Sequence, residues 1–135
     1  MTQEWKIVCR LREVPLTRAR VVQRGLAWQE LPGVALFRDA AERVYALLDR
    51  CPQGGCALSL GCVEDGYVVC PQHGWRVALA SGCAVAPDQG RTRTYAVRVE
   101  DGRVWLDMAE LKAPASRAEA ALAGAFAVAP RVATA

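Results

Sequence analysis

Apolar and polar positions alternate in short runs along most of this chain, with turn residues between them. Trp5-Lys6-Ile7-Val8-Cys9 alternates well enough for an opening strand. Glu13-Val14-Pro15-Leu16 breaks it, and Arg20 to Gln23 is a short strand candidate closed by Gly25. Gly33 to Arg38 is a strong strand; Asp39-Ala40-Ala41-Glu42 turns the chain and Arg43 to Leu48 returns, a hairpin with a four-residue connection. Leu58-Ser59-Leu60-Gly61 leads into Cys62-Val63, Glu64-Asp65-Gly66 turns, and Tyr67-Val68-Val69 follows as a strand. Arg76 to Leu79 is the next strand, Ser81-Gly82 turns it, and Cys83 to Gly90 is a loop. Tyr95 to Val99 alternates cleanly, Asp101-Gly102 is a hairpin turn, and Val104-Trp105-Leu106 pairs back. Many short strands at spacings of about 8–12 residues predict an all-β antiparallel sandwich or barrel.

The pattern changes near residue 112, so residues 1–111 are expected to form the domain and 112–135 an Ala-rich tail. Lys112-Ala113-Pro114 reads as a linker, and Ser116 to Glu119 has the spacing of a capping box. Residues 118–127 have the composition of a short helix, marginal alone at this length, so a frayed or disordered tail is expected.

Composition narrows the class. The chain has 135 residues, 53% hydrophobic and 23% charged, which fits one globular domain. No apolar run approaches the ~20 residues of a membrane span, and the N-terminus lacks the charged-then-apolar pattern of a signal peptide. A cytoplasmic protein with no membrane association is expected. A net charge of +3 is too mild for a nucleic-acid partner. The densest basic patch, Arg10, Arg12, Arg18, Arg20 and Arg24, is relieved only by Glu13 and reads as a solvated face or a docking surface for an acidic partner.

The chemistry concentrates between residues 51 and 75. Of six cysteines, four (Cys51, Cys56, Cys62 and Cys70) fall within residues 51 to 70. Without an oxidising compartment this argues for a metal or a former metal site rather than a disulfide framework. Cys9 and Cys83 read as plain buried thiols. Two Cys-Pro steps, at Cys51 and Cys70, each open a tight loop, and the second places His73 three positions after its cysteine. Thiolate sulfur and imidazole nitrogen suit an iron–sulfur cluster or zinc. The spacings are unlike the paired Cys-x-x-Cys of zinc ribbons, which leaves zinc the weaker reading.

These loops resemble those of Rieske-type domains, which read Cys-x-His and Cys-x-x-His and hold a [2Fe–2S] cluster by two cysteines on one iron and two histidines on the other. Cys70, His73, Gly74 and Trp75 match the second loop; in the first, Cys51-Pro52-Gln53 has Gln53 where the family has histidine. Cys56 or Cys62 is a candidate substitute ligand. In high-potential members a disulfide joins this loop to the position of Gln72, so the usual bridge is absent here. The resemblance implies Cys51, Cys70 and His73 as metal ligands, with a cluster-free scaffold expected from the incomplete set and a [2Fe–2S] cluster with altered ligation as the alternative. No catalytic residues are expected: the chain has no dinucleotide fingerprint and no acid–base pair around its single histidine.

Val8-Cys9, Gly33 to Arg38, Val44 to Leu47, Leu58 to Gly61 and Tyr95 to Val104, taken in register, are similar to the small subunit of assimilatory NADH-dependent nitrite reductase, over about residues 5–107. That resemblance implies a partner, a large catalytic subunit holding flavin, an iron–sulfur cluster and sirohaem, which reduces nitrite to ammonium. The chain itself would be a structural, regulatory or electron-relay subunit. The alternatives are a free-standing Rieske-type ferredoxin serving an oxygenase and a zinc-stabilised binding module.

Overall fold

A computed structural model describes residues 3–25, 31–52, 57–71, 74–85, 90–115 and 119. Among the described residues, ten strands form three antiparallel sheets, an all-β architecture. The first sheet joins β1 (Trp5–Arg10), β10 (Arg103–Asp107) and β9 (Val97–Glu100) in the order β1-β10-β9. The second runs β2 (Ala19–Val22), β3 (Val34–Arg38), β4 (Val44–Leu48), β8 (Thr94–Tyr95). The third is a small meander of β5 (Cys62–Glu64), β6 (Tyr67–Val69) and β7 (Arg76–Ala78).

The central hairpin β3–β4 is buried on both faces, which is why Val34-Ala35-Leu36-Phe37 is apolar without alternation. Val34, Leu36, Ala46 and Leu48 pack with Val104 and Leu106 of the first sheet. Ala35, Phe37 and Leu47 point the other way, into a second core with Val63, Val68 and Val77. Those three valines are register partners and form one row across the meander. The β3–β4 connection spans residues 39–43 rather than the expected four. Arg43 belongs to it because its N–H donates to the Asp39 carboxylate (2.8 Å) while its C=O accepts the Asp39 N–H (3.0 Å).

Both Asp-Gly turns form as two-residue hairpins, with positive φ at Asp65 (48°), Gly66 (82°), Asp101 (53°) and Gly102 (70°), the type I′ geometry whose twist matches the flanking strands. The single strand expected over Tyr95 to Val99 is two. β8 pairs with β4, β9 pairs with β10, and the chain changes sheets at Ala96, whose N–H is taken by the Glu110 carboxylate at 3.0 Å.

A helical turn, α1 (Met108–Lys112), follows β10 and takes in Lys112, the first residue of the expected linker. Asp107 caps it, accepting from the Ala109 N–H at 3.0 Å and also from the Glu4 N–H at 2.9 Å. The described part of the tail is fixed to the domain rather than frayed. Arg24, 2% exposed, donates to the carbonyls of Pro32, Leu111 and Ala113, each at 3.1 Å, and to both carboxylate oxygens of Glu119, at 2.7 and 3.2 Å. Arg24 therefore leaves the basic patch, in which Arg10, Arg12, Arg18 and Arg20 stay exposed. Apart from Glu119, the expected helix 118–127 lies outside the described residues, as does Ser116. Among the described residues no helix is long and apolar enough to cross a membrane.

Candidate functional site

Both Cys-Pro steps follow strand ends that face the second core. Cys51 stands three residues after β4 and Cys70 directly after β6; they are 2% and 0% exposed and belong to one buried cluster with Leu58, Val63, Val68 and Val77. Rigid strands thus deliver two sulfur atoms to one apolar region.

Each loop is closed at its base by hydrogen bonds that the sequence did not disclose. In the first, the Asp49 carboxylate accepts from the Ser59 N–H (2.7 Å) and the Ser59 hydroxyl (2.8 Å), while the Asp49 N–H donates to the Gly33 C=O (2.8 Å). Ten residues separate Asp49 from Ser59, too far for any local turn signal to foretell the contact. In the second, the Cys70 N–H donates to the Trp75 C=O (2.7 Å) and the Gly74 N–H to the Cys70 C=O (2.8 Å). Gly74 takes φ +70°, left-handed backbone that costs a side-chain-bearing residue energy. Half-buried Trp75 packs against the second core. Gly61 lets the two loops approach: a Cβ there would lie 2.2 Å from the Val69 C=O.

Strand parity assigns Cys62. Its neighbour Val63 faces the core with Val68 and Val77, so half-buried Cys62 faces away, opposite Val69 in the register. Buried Cys51 and Cys70 lie on the core side. Gln53, Cys56, Gln72 and His73 lie outside the described residues. Of the two cysteines read as plain buried thiols, Cys9 is buried in the first core, where burial pushes its thiol pKa up against the opposing charge of Arg20, whereas Cys83 is exposed.

The buried pair Cys51 and Cys70 fits the thiolate side of a [2Fe–2S] cluster. The imidazole side has His73 in the sequence and Gln53 at the other position, a neutral amide oxygen that is a poor iron ligand beside imidazole.

Comparisons with known proteins agree with this architecture. The chain is 34% identical over 105 residues to the 3-phenylpropionate/cinnamic acid dioxygenase ferredoxin subunit of Photorhabdus laumondii, covering 76% of this chain and 93% of that protein. It is 38% identical over 99 residues to 4beta-methylsterol monooxygenase of Methylococcus capsulatus, of which it spans 26%. A solved structure assigned as an NADH-dependent nitrite reductase small subunit from Mycobacterium tuberculosis superposes with a TM-score of 0.66 at 26% identity, covering 78% of this chain and 96% of that one. The model of the Rieske [2Fe-2S] domain matches residues 4–96, and the chain belongs to that family.

Proposed function

We infer that this chain is the Rieske-fold small subunit of a cytoplasmic NADH-dependent nitrite reductase, held against a large flavin- and sirohaem-containing subunit. The observation that carries the reading is a pair of Cys-Pro loops closed at their bases by hydrogen bonds, with an incomplete ligand set in the sequence. The Asp49–Ser59 clip and the paired Cys70–Trp75 and Gly74–Cys70 bonds close the bases of both loops, while Gln53 stands in the sequence at a ligand position. A carrier that works alone needs its redox centre; a subunit of a larger enzyme has a use for the fold itself. The similarity to a nitrite reductase small subunit over 96% of that chain supports the same choice.

If a cluster is held, Cys51 and Cys70 are its thiolate ligands and His73 an imidazole ligand, and the cluster supplies one-electron transfer. In either state the chain's own residues orient the loops: Asp49 fixes the first, Gly74 bends the second, and the valine row excludes water beneath them.

A second reading, a Rieske-type ferredoxin passing electrons to an oxygenase, is favoured by the 34% identity to a dioxygenase ferredoxin subunit over 93% of its length. Anaerobic affinity purification from the native cell, with assays for iron, acid-labile sulfide, flavin and sirohaem, separates the two. Co-purification with a sirohaem- and flavin-containing subunit is the expected result. Isolation as a monomer with two irons and two sulfides, together with unchanged nitrite reduction after deletion, would overturn the first reading and leave the second.

A further inference from the structure

One strand edge of this molecule is complementary to itself. β9 is the outer strand of the first sheet, with β10 on one side. The two-residue turn makes Glu100 and Arg103 a hydrogen-bonded pair and Arg98 with Trp105 the next, so the N–H and C=O of Val97 and Val99 point away from β10. Neither group of Val99 has a hydrogen-bond partner among the described residues. Extending the Ala46–Tyr95 register puts Val97 opposite Val44, where β4 begins, and Val99 lies past that end.

The side chains of this edge alternate in a way that matters. Val99 is opposite Val104, on the core face of the sheet, yet is 40% exposed. Arg98 and Glu100 stand on the other face, half exposed and 3.7 Å apart, and Arg98 also lies over the Trp5 ring at 4.7 Å. An edge with bare backbone groups and an exposed apolar side chain is a template for another strand, commonly guarded by lysine, proline or a bulge. β9 has none of these guards; its two charges are of opposite sign. In an antiparallel pair centred on Val99, position 98 of one copy faces position 100 of the other. Read against itself, β9 therefore sets arginine opposite glutamate on each side of a valine pair.

We propose that two copies of this chain associate through β9, antiparallel, with Val99 of each copy on the two-fold axis and Arg98 of each opposite the partner's Glu100. The two Val99 residues exchange their N–H and C=O bonds, the two three-stranded sheets join into one, and each exposed valine covers the other. The contact is isologous, so association stops at two copies. β9 borders the first core through Val97, whereas Cys51 and Cys70 belong to the second, so the contact is separate from the cysteine loops. The inference does not depend on the nitrite reductase reading.

The test is sedimentation equilibrium of the full chain from about 10 μM to ~1 mM, a range that detects even a weak dimer. The native chain should show a monomer–dimer equilibrium. Arg98→Glu alone and Glu100→Arg alone each set like charges directly opposite one another twice, and each should weaken association about tenfold. Arg98→Glu and Glu100→Arg together in one chain should restore it. Mixing the two single variants should give a heterodimer, because every carboxylate then faces an arginine. Val99→Pro removes the outward N–H without touching the β10 ladder and should abolish association. An unchanged melting temperature for each variant separates lost pairing from lost folding. A native chain that stays monomeric at ~1 mM, single reversals that associate as well as the native chain, or a double swap that fails to restore the dimer would overturn the proposal. Each of these results leaves the functional reading as it stands, since none involves the large subunit.

Discussion

Replacing Arg24 by methionine should be among the most damaging single changes outside the valine core. The guanidinium is 1% exposed as a side chain and makes five hydrogen bonds, three to carbonyls and two to Glu119, whose side chain is 12% exposed. Methionine fills much of the same volume, so the loss is mainly electrostatic. It removes the arginine donor from three carbonyls and from a largely buried carboxylate that keeps the Ala115 N–H. Breaking one side of a buried ion pair costs roughly 3–5 kcal/mol, a large share of the ~5–15 kcal/mol that keeps a domain folded. Glu119→Gln keeps an acceptor beside the arginine and should cost less, about 1–2 kcal/mol. Urea unfolding followed by tryptophan fluorescence measures both, and a lowering of Tm by roughly 10 °C for Arg24→Met accompanies a loss of about 3 kcal/mol. The double variant tests the pairing, because its cost should fall well short of the sum of the single changes. An Arg24→Met variant within about 1 kcal/mol of the native chain would refute the view that this residue fastens the segment after α1 to the domain.

Acid should dissolve the same contact. Burial raises the Glu119 carboxyl pKa, but the Arg24 hydrogen bond, the Ala115 N–H and the charges of Arg24 and Arg93 outweigh it and hold the group below the usual range. A carboxyl depressed in the folded state contributes stability above its unfolded value, near ~4.3, and loses it as pH falls through the folded value. The stability gap between native and Glu119→Gln proteins should therefore shrink from pH 6 towards pH 3; a constant gap contradicts the assignment. Tyr95→Phe should be neutral to mildly stabilising in thermal melts, since the Tyr95 hydroxyl is buried without a hydrogen-bond partner among the described residues; a loss above about 1 kcal/mol would show that the hydroxyl is satisfied. Gly61→Ala should cost about 1–3 kcal/mol, because the new methyl meets the Val69 carbonyl and must push the two loops apart. Gln53→His completes the family ligand set, and anaerobic protein should then show the visible absorption of a [2Fe–2S] cluster at two irons per chain; a colourless variant means that more than the fourth ligand is missing.

The elements bounded by strong local chemistry were legible in the sequence. Asp65-Gly66 and Asp101-Gly102 announce their hairpins because few other dipeptides accept positive φ at both positions, and the strands they join fall within a residue or two of their expected limits. The two Cys-Pro loops and the family itself were legible for the same reason, their residue types being tied to a ligand geometry. What the sequence left open was decided by contacts between distant segments. The split of the 95–99 run depends on Glu110 capturing the Ala96 N–H. The face of Cys62 depends on the valine row formed with β6 and β7. Arg24 reads along the chain as one more exposed cation; only folding surrounds it with Pro32, Leu111, Ala113 and Glu119. Local preference is encoded within a few residues and can be read there, whereas burial, strand face and charge pairing exist only once the sheets have packed.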